Sequence, residues 1–266
     1  MPARIVTLLT DFGVTDFYVG AMKGVILGVN PEAQIADISH NITQFDILDA
    51  GFTLSKAYSY FPTGTVHMVV VDPGVGTQRR PIVVRGDNHY FLAPDNGVLS
   101  FIYPEQEMLE VREITAEHYF RSPVSNTFHG RDIFAAVAGW LSKGVEAEKF
   151  GDPIEDYVKL SVPIAQKVSE KQWKAVTMKI DRFGSVITNL GPEDCPALFA
   201  DPTPGFRITI NGKAVTKLCK TYSEGQKGEV FAILGSSGQL EISANRAAAA
   251  QALGAKRGTE VILDLA

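Results

Sequence analysis

The chain has 266 residues with 30 acidic and 25 basic side chains, a net charge of −5 at pH 7 and a pI of about 5.6. That balance, with the charges dispersed, gives no electrostatic reason to expect nucleic acid or an anionic membrane as partner. At 45% hydrophobic and 21% charged residues it is far from disorder and long enough for one large or two modest domains.

Cys195 and Cys219 have neither the number nor the spacing of a disulfide framework or a zinc site. Asp11 interrupts the apolar run Ile5 to Leu9 before a signal-peptide core could form, and no stretch approaches the ~20 apolar residues that span a bilayer. A cytoplasmic protein is expected.

Arg4 to Thr10 predicts a buried strand ending in Thr10-Asp11-Phe12-Gly13, after which Thr15-Asp16 opens a helical pattern running to about Val29. The Asp-Phe-Gly triplet invites comparison with protein kinases, but no glycine-rich loop precedes it and no catalytic-loop signature accompanies it. Gln34 to Ile38 is a short strand. Asp46 can cap a helix from Ile47 to Phe61, closed by Pro62.

Thr65 to Val71 is too apolar for a half-exposed strand, so Asp72 stands at the carboxyl end of a buried one, where open α/β sheets hold their ligands. Pro73, Gly74 and Gly76 then allow a sharp turn and close backbone approach, and Arg79 can fold back onto Asp72. Ile82–Arg85 and His89–Leu92 flank Gly86-Asp87-Asn88 as a hairpin. A loop Ala93-Pro94-Asp95-Asn96-Gly97 leads to a short helix near Val98–Tyr103 and a strand over Met108–Ile114. Asn126-Thr127-Phe128-His129-Gly130-Arg131-Asp132 opens a further helix reaching Leu141, with His129 and Gly130 at its positive end.

The alternation predicts an α/β domain with a largely parallel sheet over residues 1–163. After a linker at 164–172, residues 173–266 predict a smaller C-terminal β-barrel or sandwich domain. Its expected strands are Lys174–Ile180, Ser185–Leu190, Phe206–Asn211, Val215–Cys219, Val230–Leu234, Leu240–Ser243 and Glu260–Leu265. One alanine-rich helix covers Ala247–Leu253.

Seven segments in one order across both domains carry a resemblance. They are Thr10–Gly13, Asp72–Thr77 with Arg79, Pro94–Gly97, Phe128–Asp132, Asp181–Ser185 with Thr188-Asn189, Thr221-Tyr222, and Ser236–Gly238 before Leu240–Ile242. Together they resemble the S-adenosyl-L-methionine (SAM) hydroxide adenosyltransferases, or SAM hydrolases, relatives of the fluorinase and chlorinase. The resemblance implies a homotrimer with sites between subunits and hydrolysis of SAM to adenosine and methionine by attack at ribose C5′. SAM is then the substrate, with no cofactor and no metal.

It also implies roles residue by residue. Asp72, Arg79 and His129 match the family's catalytic set. Asp11 matches the carboxylate on the ribose hydroxyls, and Asp181 one near the methionine ammonium. Phe183 and Tyr222 match aromatics that sandwich adenine, and Ser236 a group at the methionine carboxylate. Ser185 stands where the family usually has an adenine-contacting Asn, and loses one of the amide's two functions.

The chemistry agrees with these residue types. A sulfonium leaves without protonation, so the difficulty is to line up a water about 3–3.5 Å from C5′ and relieve it of a proton. Asp72 and His129 can accept that proton or orient the water, and the fixed charge of Arg79 favours a hydroxide-like species. Asp72 would repel a halide, and Gly130 lacks the hydroxyl that the halogenase branch resembles having there. Two other readings compete. Asp11, Asp16, Asp72, Asp95 and His129 could bind cations in a metal-dependent phosphoesterase. A non-catalytic SAM or adenosine sensor could use the same ribose-binding Asp and aromatics.

Overall fold

Apolar, β-branched runs cut by turn residues set the frame of the first unit. The computed structural model describes residues 5–266 and separates into two units, Met1–Val162 and Pro163–Ala266. In the first, β1 (Ile5–Thr10), α1 (Tyr18–Val29), β2 (Gln34–Ser39), α2 (Ile47–Ser55), β3 (Val66–Val70), β4 (Pro81–Arg85), β5 (Tyr90–Pro94), β6 (Glu110–Glu113) and α3 (Ala136–Ser142) follow in order. Arg4, expected to begin β1, lies outside the described residues.

The sheet order is β2-β1-β3-β5-β4-β6. Strands β2, β1, β3 and β5 are parallel neighbours, while β4 pairs antiparallel with β5 and β6. The antiparallel edge follows from the Gly86–Asn88 turn, closed by the Gly86 N–H donating to the His89 carbonyl at 2.9 Å. Successive β3 side chains alternate between two cores. Val66, Met68 and Val70 face α1 and α3, whereas Val69 and Val71 pack with Leu54, Tyr58 and Phe91. Burial on both faces explains why this strand's sequence lacks alternation.

Several helices differ from expectation. Thr15 and Asp16 do not cap α1, which starts at Tyr18 with Phe17 in the cap position and no side-chain hydrogen bond. Asp46 does cap α2, accepting from the Asp49 N–H at 3.0 Å, but the helix stops at Ser55 and a single 3-10 turn at Tyr58–Tyr60 replaces its expected end. Val98–Tyr103 forms turns rather than a helix; a 3-10 turn at Tyr103–Glu105 follows.

His67, wholly buried in β3, shares a 2.7 Å hydrogen bond between its Nδ1 and Thr7 Oγ1. Burial, helped by nearby His89, pushes its pKa down to about 3 from 6.5. Below pH 6.5 the unfolded chain therefore binds a proton that the native state refuses, and stability falls as pH drops, by at most about 1.4 kcal/mol per pH unit. The unfolding midpoint is expected to decline from pH 6.5 toward 4, and His67→Gln to flatten that limb. An unaltered limb in the variant would assign the loss to other groups.

The second unit holds β7 (Gln166–Ser169), β8 (Gln172–Ile180), β9 (Val186–Thr188), β10 (Phe206–Ile210), β11 (Lys213–Val215), β12 (Leu218–Cys219), β13 (Val230–Leu234), β14 (Leu240–Ala244), α4 (Ala249–Leu253) and β15 (Glu260–Leu265). The strand path β11-β10-β15-β8-β9-β14-β13-β12 curls around the core of Trp173, Leu190, Ile208, Ile242 and Leu263, and β7 pairs with β8. Thus a short strand lies within residues 164–172. The single strand expected over Val215–Cys219 is two, β11 and β12.

Candidate active site

Strand register brings the first site residues together. Thr10 of β1 and Val70 of β3 are paired neighbours, so Asp11 and the Val71-Asp72 segment leave the sheet side by side at its carboxyl edge. After Asp72 the chain makes a tight loop, with the Val75 N–H donating to Asp72 O at 3.2 Å and the Thr77 hydroxyl to Gly74 O at 2.7 Å. That loop returns Arg79 over Asp72. The Arg79 Nε donates to Oδ1 at 3.0 Å and Oδ2 at 2.9 Å, and its Nη2 makes a further short contact to Oδ2. The same Nη2 reaches Nδ1 of His129 at 2.9 Å. The guanidinium also lies over the Phe134 ring, 5.6 Å from its centroid, a cation–π contact that fixes its plane.

A guanidinium only donates. His129 Nδ1 must therefore accept, which puts the proton of the neutral imidazole on Nε2. Burial, then the charge of Arg79, hold the His129 pKa below its usual value, while Asp72 and Asp132 pull the other way. Arg79 Nη1 is buried without a hydrogen-bond partner among the described residues. The cluster thus has one acceptor group, Asp72, and two free donor directions, Arg79 Nη1 and His129 Nε2.

Neighbouring residues hold this arrangement. Asn96 Nδ2 donates to the Val71 carbonyl at 2.9 Å, and buried Asp95 accepts from Arg80 and from the Val158 N–H. His129 stands at the start of a π-helix, Gly130–Ala135, that leads into α3; single π turns are frequent at functional sites. This replaces the first part of the ordinary helix expected to start at His129 and Gly130. Buried Asp132 gathers Arg131, Arg121 and the Ser125 N–H, tying down the loop before His129. The Asn96 and Asp132 roles escaped the sequence reading, because a loop Asn and a helix-start Asp carry no signal of what they bind.

Asp11 is half-buried, and its Oδ2 accepts from the Phe45 N–H at 2.8 Å. The other predicted residues belong to the second unit. Asp181 shapes a turn, its Oδ1 accepting from the N–H groups of Phe183 (2.9 Å) and Ser185 (2.8 Å). The turn leaves Phe183 82% exposed. Tyr222 is 51% exposed, with its hydroxyl on Glu241 Oε1 at 3.1 Å. Ser185 is buried, and Ser236 is exposed in the β13–β14 turn beside Ser237, whose hydroxyl is buried and has no hydrogen-bond partner among the described residues. Among the described residues no group of three or more His, Cys, Asp or Glu is arranged to hold a metal ion, and no helix is long and apolar enough to cross a membrane.

Comparison with known proteins adds to this geometry. Residues 6–151 match the family description "SAM hydroxide adenosyltransferase N-terminal domain", and residues 176–262 match its C-terminal domain. The chain is 34% identical to an (R)-S-adenosyl-L-methionine hydrolase of Methanocaldococcus jannaschii, over 90% of this chain and 88% of that protein. It is also 34% identical to one of Thermus thermophilus, over 98% and 99% respectively. A crystal structure of an uncharacterized conserved protein from Thermotoga maritima superposes with a TM-score of 0.91 at 37% identity, covering 97% of this chain and 99% of that one.

Proposed function

The chain belongs to the SAM hydroxide adenosyltransferase family, and from that premise we propose that it hydrolyses SAM to adenosine and L-methionine. The observation that carries the reading is the Arg79 guanidinium joining Asp72 and His129 in one hydrogen-bonded cluster. In the proposed step a water oxygen attacks ribose C5′ opposite the C–S bond. The new C–O bond forms as the C–S pair departs to the methionine sulfur, and one water proton passes to the Asp72 carboxylate. With Nδ1 engaged by Arg79, His129 acts as a donor from Nε2 and orients the water together with Arg79 Nη1. Preorganised donors of this kind stabilise a developing hydroxide without reorganisation.

Asp11 serves the ribose hydroxyls, Asp181 and Ser236 the methionine end, and Phe183, Ser185 and Tyr222 the adenine. No cofactor takes part, because the sulfonium leaves unaided; turnover abolished by a chelator would contradict this. A halide is a poor alternative nucleophile beside the Asp72 carboxylate. Space argues the same way, since a Cβ on Gly130 would stand 3.1 Å from Met22 Sδ and 3.3 Å from Val70 Cγ1. A hydroxyl-bearing side chain there has no room without shifts.

The deciding experiment is turnover of SAM in 18O-water with excess chloride. Label in the 5′-hydroxyl of adenosine is expected, and 5′-chloro-5′-deoxyadenosine as main product would overturn the assignment. The pH profile is a second test. His129 must be neutral to accept from Arg79, and its lowered pKa delays protonation as pH falls. The acid limb of kcat/KM is therefore expected below pH 6.5, and an inflection above that value would remove His129 from the scheme.

The same proposal includes a homotrimer, to be read by native mass spectrometry at three times 28.9 kDa. It also includes a cytoplasmic location, which recovery in the membrane fraction would contradict.

A further inference from the structure

A buried carboxylate on β14 lies outside every role assigned so far. Glu241 is 6% exposed, and hydroxyls converge on its Oε1, Ser243 Oγ at 2.5 Å and Tyr222 Oη at 3.1 Å. Ser243 Oγ also stands 2.8 Å from Ser185 Oγ. Ser243 has one proton to give, and a carboxylate oxygen can only accept. The shorter bond takes that proton, Tyr222 donates its own to Glu241, and the 2.8 Å contact of Ser243 with Ser185 joins Ser185 to the pair. One carboxylate thereby ties together three segments: the Asp181–Ser185 turn running into β9, the 3-10 turn at Tyr222–Glu224 and β14.

The consequence is unequal for the two outer residues. Tyr222 keeps half its surface open, yet its phenol is tethered, so its ring is held as a fixed platform instead of swinging freely. Its pKa, raised to about 12 by burial and then by Glu241, keeps the phenol a donor. Ser185 is held indirectly, its Oγ 2.8 Å from Ser243 Oγ. A buried hydrogen-bonded network of this kind rigidifies what it holds.

We propose that Glu241 is a positioning residue for the substrate-binding face of the second unit, pinning the Tyr222 ring directly and the Ser185 hydroxyl through Ser243. This rests on the hydrolase reading, which puts Tyr222 and Ser185 against the substrate. Asp72, Arg79 and His129 belong to the other unit, so the role proposed for Glu241 is in binding and not in the chemical step.

The test is calorimetric binding of adenosine and of SAM, with kcat and KM, for the wild type, Glu241→Gln, Tyr222→Phe and the double variant. Glu241→Gln is expected to weaken binding and raise KM about tenfold, as for loss of a charged hydrogen bond, with kcat within about twofold. The double variant should bind no worse than the weaker single one, because both changes break the same link. Binding within twofold of wild type in Glu241→Gln, additive losses in the double variant, or an equal fall in kcat would each overturn the proposal. A wild type that binds adenosine but leaves SAM intact would sink the hydrolase reading alone, and the binding data would still decide Glu241. A wild type that binds neither ligand would overturn both.

Discussion

Asp72→Asn is expected to lower kcat for SAM hydrolysis by about 10²–10⁴-fold, the usual worth of a positioned proton acceptor. The side chain is almost wholly buried, and both its oxygens face Arg79. An amide in the same space turns an NH2 group toward the Nε or Nη2 donors, so one bond becomes a donor–donor clash. The guanidinium also loses its counter-charge in a desolvated place, which costs about 3–5 kcal/mol of stability. Rates should therefore be measured well below the variant's unfolding temperature, with SAM binding determined alongside. Binding retained with a large loss in single-turnover rate is the expected result. A rate within about fivefold of wild type would show that the water's proton goes elsewhere. Arg79→Lys is a useful companion, because it keeps the positive charge while removing the fork that reaches both Asp72 and His129.

What the sequence disclosed, and what it hid, divides along the range of the interactions. Buried strands such as β1 and β3 announce themselves as mostly apolar runs without strict alternation. The residue that ends each one, Asp11 or Asp72, follows from where strands meet their loops. That Arg79 can return to Asp72 was legible too, since Pro73, Gly74 and Gly76 among the six intervening residues allow a sharp turn. The π-helix at Gly130 was not. A Cβ at Gly130 would stand 3.1 Å from Met22 Sδ and 3.3 Å from Val70 Cγ1, and those two neighbours come from distant parts of the chain.

Glu241 was hidden for a different reason. In Leu240-Glu241-Ile242-Ser243 the alternation reads as apolar residues inward and polar ones toward water. Leu240 and Ile242 do enter the core, but Glu241 and Ser243 are buried as well, under Tyr222 and beside Ser185. A period of two reports which face a side chain takes; it cannot report that the second face is covered. Likewise α2 ends at Ser55, although its pattern extends to Phe61. The 3-10 turn that follows seats Tyr58 between His67, His89 and Phe91, a tertiary demand that outweighs helix propensity.

The loop between Asp72 and Arg79 supplies the second large effect, at Gly76. Its φ is +77°, and a Cβ built there would lie 2.2 Å from the Asn126 carbonyl oxygen. Gly76→Ala therefore meets two penalties: a left-handed conformation worth about 1–2 kcal/mol for a non-glycine residue, and a collision with backbone that no rotamer change relieves. The expected loss is about 2–4 kcal/mol in unfolding free energy. Activity should fall as well. Asn126 lies three residues before His129, and displacing a reacting group by about 1 Å can cost on the order of 10²-fold. Gly74→Ala separates space from mere loop sensitivity, because its Cβ would find ordinary contacts 3.5 Å away at Arg79 Cγ and Thr77 Oγ1. That variant should unfold within about 0.5 kcal/mol of wild type. Equal destabilisation of the two variants would mean that the close approach of Gly76 to Asn126 does not hold the loop in place.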